Sequence, residues 1–181
     1  MKYKFFTVYI VSLIGSLAIC QKAPGNVYKT GIIQTDTMAT ASKLLTLNDA
    51  EKIMGEQARL TGNTFVKKGD TLEYKCDYTA LSQDTITGKV GKLYFMYEVY
   101  GGVAAAANAY AAIYQANSRH EGVKVVSGLG NEAYYHSDQT GFYFFLVRKN
   151  NKMLRLKLNK VTSHSSVIEF KKAIRHIVDE L

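Results

Sequence analysis

Five stretches of the chain carry the short apolar or alternating patterns that are typical of β-strands. They are residues 72–80, 92–100, 132–137, 142–149 and 153–159. In the last stretch Leu154, Leu156 and Leu158 share one face, which predicts that this face points into the core. Arg155 and Lys157 alternate with them, so we expect both side chains to point away from the core.

The stretch 142–149 differs from the others because it is apolar on both faces. One face carries Phe142, Phe144 and Leu146, and the other carries Tyr143, Phe145 and Val147. This pattern predicts a central strand whose second face is also covered or used. The two asparagines that follow it, Asn150 and Asn151, predict a tight hairpin turn, since Asn tolerates a positive φ.

Three segments have helical patterns. A short helix is predicted to start at an Asn48 cap, with a glutamate three residues later, and to stop at Gly55. Residues 103–119 are alanine-rich with one apolar stripe, which predicts a second helix. A final helix is predicted to begin at Ser166, with Glu169 completing a capping box, and to run to the C-terminus.

The predicted order is therefore α-β-β-α-β-β-β-α. Short connections between successive strands favour antiparallel pairing. We expect an α+β domain with an antiparallel sheet of about five strands and with helices mainly on one face. A cystatin-like or NTF-like curved sheet wrapped around its helices is the alternative architecture.

The N-terminus has the pattern of a secretory signal peptide, predicted over residues 1–20. Lys2 and Lys4 precede an apolar run from Phe5 to Ile19, which is short for a membrane span. Residues 17–20 resemble a lipobox with a bulky Ile19 before Cys20, so both lipidation of Cys20 and ordinary cleavage stay open. We expect an exported protein, periplasmic or secreted, that contacts the membrane only through such an anchor.

The domain organisation follows from where the regular patterns begin. Residues 21–43 contain the only proline and show no clear period, which is typical of a flexible tether. Residues 44–181 are predicted to form a single domain, a length that suffices for a sizeable core.

The distribution of charged residues suggests which surface of the domain binds a partner. The formal net charge is +8, and basic residues gather toward the C-terminal third of the chain. Basic groups beside aromatic ones can bind a protein or an anionic glycan of the envelope, although a solvated basic face would give the same pattern. The predicted binding residues are Arg155, Lys157, Lys149, Lys152, Tyr94 and Tyr143.

A search for catalytic and metal-binding patterns gives no candidate. The four histidines lack metal-ligand spacing, and neither an HExxH nor a CxxC motif occurs. Residues 128–133 contain two glycines but no third glycine that opens a helix, so we interpret them as a tight turn. Cys76 lies on the inward face of its strand, which predicts a buried structural thiol. The sequence predicts no cofactor, no metal and no nucleic-acid partner.

Several short motifs resemble those of small exported and lipoprotein domains of bacteria, whose arrangement is similar to the α+β sandwich of PsbP-like proteins. The motifs are Leu45-Thr46, Ala50-Glu51, Gly55, Cys76-x-Tyr78, residues 128–133 and residues 147–150. The resemblance implies a non-enzymatic envelope domain without a catalytic site. We therefore expect a binding or interaction module. A carrier of a small apolar ligand, and a hydrolase with an unrecognised site, are the alternatives.

Overall fold

The computed structural model describes residues 40–181 of the chain. The predicted signal peptide and Cys20 lie outside the described residues. Residues 40–44 are helical, and Ala41 is fully buried in the core. The packed part of the described chain thus begins slightly before the domain boundary predicted at residue 44.

The described residues form three named helices and seven strands. The helices are α1 (Leu47–Met54), α2 (Val103–Asn117) and α3 (Val167–Asp179). The strands are β1 (Ala58–Lys68), β2 (Thr71–Ala80), β3 (Lys92–Val99), β4 (Val123–Val125), β5 (Glu132–Ser137), β6 (Phe142–Lys149) and β7 (Lys152–Asn159). The five predicted strands are present with nearly the predicted bounds.

All seven strands belong to one sheet with the order β1-β2-β3-β7-β6-β5-β4, and every neighbouring pair is antiparallel. The α+β class and the antiparallel sheet are confirmed. The predicted count of five strands and the predicted order are wrong, because both edge strands were missed. β1 is mostly exposed and contains a register shift between Leu60 and Gly62, which breaks its alternation. β4 has only three residues, too few to show a period.

Two of the three named helices lie on one face of the sheet, in agreement with the prediction that the helices lie mainly on one face, and the third lies on the opposite face. α1 and α3 cover the first face, where Phe170 stacks on Phe145 with 5.8 Å between ring centroids. α2 packs on the second face, where Tyr110 joins Tyr134, Leu146 and Met153 in a separate apolar cluster. The prediction that β6 is a central strand covered on both faces is confirmed.

The helix ends are set by local hydrogen bonds. The N-cap of α1 is Thr46 rather than the predicted Asn48: the Thr46 hydroxyl accepts a bond from the Asp49 N–H, and the Asp49 carboxylate accepts one from the Thr46 N–H. Gly55 ends this helix in the left-handed region, as predicted. The Ser166 hydroxyl caps α3 by accepting a bond from the Glu169 N–H, as predicted, but the Ser166 N–H donates to the Ile53 carbonyl, so the predicted capping box is not completed. None of the helices within residues 40–181 combines the length and the apolar character needed to cross a membrane.

Candidate functional site

The second face of the sheet is only half covered. α2 packs over β6 and β7. The outward side chains of β2, β3 and the end of β7 are instead partly exposed, among them Lys75, Tyr94, Met96 and Lys157. We call this uncovered part of the second face the open sheet face, and it holds three of the six predicted binding residues: Tyr94, Arg155 and Lys157.

Tyr94 and Lys157 lie directly opposite each other on β3 and β7. Directly paired side chains on one face of an antiparallel sheet are close neighbours. The Lys157 Nζ atom also lies 5.3 Å from the centroid of the Phe142 ring, which is a cation–π distance. Lys157 forms no ion pair with an acidic side chain among residues 40–181, so its positive charge is not neutralised there.

Arg155 lies on the same face but in a different setting. Its guanidinium Nη2 atom lies 2.9 Å from a carboxylate oxygen of Glu98, which is almost fully buried. The other oxygen of Glu98 accepts a hydrogen bond from the Tyr100 hydroxyl. Burial raises the pKa of Glu98 above its ordinary 4.5, although the nearby Arg155 opposes the shift. Arg155 therefore compensates a buried charge and is less available to a partner than Lys157.

Glu73 lies directly across from Glu98 on the neighbouring strand. Burial alone would raise the pKa of Glu73, but Lys75 and Lys68 lie 2.7 and 3.1 Å from its carboxylate and bring the pKa below its ordinary value. Two facing carboxylates would otherwise repel each other across the strands. Lys68, Lys75 and Arg155 thus neutralise the two acids on this face. Because these three basic side chains are already paired, they are not available to bind a ligand.

Lys149 and Lys152 do not join the open sheet face. They lie on the first face, where the Lys149 ammonium donates to the Val178 carbonyl and the Lys152 ammonium donates to the Leu181 carbonyl. Both carbonyls lie at the C-terminal end of α3, where a positive charge is stabilising. These two lysines therefore hold the last helix against the β6–β7 hairpin.

Tyr143 lies on the first face as well. Its ring packs against that of Phe170, with 5.8 Å between centroids, and against that of Tyr135. Because alternate residues of a strand share a face, Tyr143 lies on the side of Phe145 and Val147. Of the six predicted residues, three lie on the open sheet face and three on the helix-covered face.

The sequence reasoning missed a cleft on the first face. It lies between α3 and the 124–129 segment that leads from β4, and it measures about 360 Å³. We call it the basic cleft, since Lys124, Lys171 and Arg175 line it together with an apolar floor. Its residues come from separate parts of the chain. The one sequence signal is the spacing of Lys171 and Arg175, which puts them on one side of a helix.

A second cleft of about 420 Å³ lies on the other side of the same segment. It is lined by Tyr110 and Tyr114 of α2 and by residues 125–133, among which Glu132 is the single charged residue. The Glu132 carboxylate is paired with the Arg148 guanidinium. This cleft therefore offers no unpaired charge to a ligand.

Two further sequence predictions concern single residues. Cys76 is buried and has a free thiol, as predicted, and burial raises its pKa to about 11. Gly128 and Gly130 both have positive φ in the turn that precedes β5, as predicted for a turn. Within residues 40–181, no group of three or more His, Cys, Asp or Glu side chains is placed to hold a metal ion.

Comparison with known proteins adds no further assignment. No protein-family model matches the chain. No curated protein matches it at a significant level.

Proposed function

We propose that this chain is a non-enzymatic binding domain of the cell envelope that holds an anionic glycan on the open sheet face. One observation carries the proposal. Tyr94 and Lys157 face each other on the half of the sheet that no described helix covers, and Lys157 has no acidic partner among residues 40–181.

The chemistry of this face fits a polyanion that carries sugar rings. Tyr94 and Phe142 offer aromatic surface, and Lys157 offers positive charge beside them. Lys92 lies at the same end of β3, where its charge interacts with the carboxylate of Asp77, the partner of Tyr94 on β2. A cation beside an aromatic ring can hold an anionic group while the ring packs against apolar atoms of the sugar. An uncovered sheet face suits an extended chain rather than a small enclosed substrate.

Export is part of the same proposal. The charged start, the apolar run and the small-residue exit support removal of a signal peptide near Cys20–Gln21. The resemblance to exported PsbP-like domains, which brings no active site to this chain, is compatible with a binding role. Intact-mass measurement on protein from the native host tests this part. A mass that still includes residues 1–18 contradicts it, and the mass of added acyl chains would assign lipidation to Cys20.

Chromatography on heparin tests the binding face, with heparin as the probe for a sulfated, carboxylated glycan. We expect Lys157→Glu to elute at clearly lower salt than the wild type, because the substitution reverses the one unpaired charge opposite Tyr94. Tyr94→Ala should also weaken retention without changing the net charge.

The matched control is Lys67→Glu, which makes the same charge change at an exposed position on β1. Thermal melting of all three variants checks that they fold. If Lys157→Glu and Lys67→Glu shift elution equally, retention follows net charge alone and the proposed face is wrong. If Tyr94→Ala is retained like the wild type, the aromatic contribution is wrong. Binding of an acidic protein, but not of heparin, by this face would assign it to a protein partner instead.

A further inference from the structure

We propose that the basic cleft binds a fatty acid, with the acyl chain on the apolar floor and the carboxylate at the basic rim. This site goes beyond the glycan-binding face. It lies on the opposite face of the sheet and shares no residue with Tyr94, Arg155 or Lys157. Each proposal can therefore fail without the other.

The floor of the basic cleft is apolar. Leu129, Phe145 and Ile174 line it, and their exposed fractions are 6%, 3% and 0%. Val126 and Tyr135 complete the wall, and both are only half-buried. A cleft of about 360 Å³ lies within the range of small-molecule sites. An acyl chain would cover the apolar surface that Val125, which is 67% exposed, and the half-buried Val126 and Tyr135 present to water.

The rim of the cleft is positively charged, and none of the residues that line it is acidic. The side chains of Lys124 and Arg175 make no hydrogen bond or ion pair with any residue from 40 to 181. The Lys171 Nζ atom lies 5.1 Å from the centroid of the Tyr135 ring, beside the apolar wall. Three cations thus border an apolar surface without a neutralising partner inside the cleft.

The combination selects one class of ligand. A phosphorylated sugar or another polar, multiply charged group would be placed against Leu129, Phe145 and Ile174, whose side chains offer no hydrogen-bond partner, and this is costly. An uncharged lipid would leave the three cations unused. A fatty acid matches both parts, because its single carboxylate accepts hydrogen bonds from Lys or Arg while its chain is apolar.

Calorimetric titration of the full chain with defined probes tests the proposal. We expect decanoate to bind, and hexanoate to bind far more weakly, since each buried methylene contributes about a fourfold change in affinity. Decanol, which has the same chain without the charge, should bind more weakly than decanoate. Decyltrimethylammonium, with the opposite charge, should bind least.

Three variants locate the site. Lys124→Gln with Arg175→Gln should weaken decanoate binding about tenfold or more, as expected for the loss of hydrogen bonds to a charged group. Lys67→Gln with Arg59→Gln removes the same two charges from exposed positions on β1 and should leave the affinity unchanged. Val126→Asp, at a half-buried wall position, should abolish binding while thermal melting reports on the fold.

Several results would overturn the inference. Equal affinities for decanoate, decanol and decyltrimethylammonium would show a nonspecific apolar surface. An unchanged affinity in the Lys124 and Arg175 double variant would remove the rim from the site. Displacement of decanoate by heparin would assign the cleft to the glycan. Lys157→Glu should not alter decanoate binding, which separates this result from the fate of the glycan-binding face.

Discussion

The guanidinium of Arg155 lies 2.9 Å from the carboxylate of Glu98, on the sheet face opposite the core leucines of β7. From the alternation of the sequence, Arg155 and Lys157 are equivalent outward-pointing residues. The structure separates them, because Arg155 neutralises a buried acid whereas Lys157 has no acidic partner among residues 40–181. A charge that the fold requires is a poor candidate for a binding residue.

Substitution of Arg155 should therefore destabilise the protein, unlike substitution of Lys157. We expect Arg155→Glu to lower the free energy of unfolding by about 3 kcal/mol or more, since it leaves Glu98 and Glu73 facing a third carboxylate in a partly buried region. Lys157→Glu, at a half-exposed position, should cost less than about 1 kcal/mol. Urea denaturation of the two variants measures the difference.

A double substitution serves as the control for this prediction. Glu98→Gln combined with Arg155→Met removes both charges, and replacement of a buried ion pair by uncharged groups is often close to neutral. The double variant should thus be more stable than Arg155→Glu. Equal stability losses in Arg155→Glu and Lys157→Glu would show that Glu98 does not depend on its partner.

The raised pKa of Glu98 has a consequence for pH dependence. Because the folded state binds this proton more tightly than the unfolded state does, ionisation of Glu98 costs stability above its folded pKa. The cost should disappear as the pH falls from that pKa toward 4.5, the ordinary value. Glu98→Gln should remove this component, so wild type and variant should converge in stability on acidification.

Stability curves of both proteins between neutral pH and pH 4.5 measure the effect. Glu73 and Asp138 have lowered pKa values, so their ionised forms stabilise the folded state. Acidification removes this stabilisation, and it does so at lower pH than the change expected for Glu98. A wild type that gains no stability relative to Glu98→Gln over this pH range would mean that the pKa of Glu98 is not raised in the folded state.

The sequence predicts the centre of this sheet well and its edges poorly. β6 and β7 are flanked by strands on both sides, so burial gives β7 a clear alternation and makes β6 apolar on both faces, and both were predicted with nearly the observed bounds. β1 is an edge strand with few buried residues, and the register shift after Leu60 moves its side chains between faces. The face that an alanine-rich helix covers is set by packing, which the helix sequence alone does not reveal.

The candidate site shows the same limit. Alternation places Tyr94 and Lys157 outward, and the structure has them directly paired. The same alternation places Lys152 on the side of Leu154, and Tyr143 on the side of Phe145, so their positions on the first face could have been deduced. The basic cleft could not be predicted from the sequence, because its walls meet only when α3 packs beside β4 and β5.

Cys76 provides a test of the core itself. Its thiol is 1% exposed, and burial raises its pKa to about 11. Since the thiolate is the reactive form, alkylation of the native protein should stay slow up to about pH 9 and become fast in denaturant. Mass spectrometry of iodoacetamide-treated samples follows the reaction. Rapid labelling in native buffer would contradict the register in which Cys76 faces Phe95.

The turn before β5 provides a matched pair of substitutions. Gly128 and Gly130 both have positive φ, at 71° and 66°. A side-chain methyl group at Gly128 would meet nothing within 4 Å, whereas one at Gly130 would lie 2.5 Å from the Arg148 carbonyl oxygen and 2.9 Å from a Val147 methyl group. The two positions therefore share the backbone strain and differ only in the space around them.

We expect Gly128→Ala to cost about 1 kcal/mol, the strain of a non-glycine residue at positive φ. Gly130→Ala should cost about 2–4 kcal/mol, because the methyl group must also displace the β6 backbone. Urea denaturation measures the free energy of unfolding of both variants. Equal decreases would mean that the Arg148 carbonyl can move away from the new methyl group without loss of stability. The Asn131 N–H donates to this same carbonyl at 2.8 Å, so a shift there would move the segment that separates the two clefts. Gly130→Ala should thus weaken decanoate binding more than Gly128→Ala does.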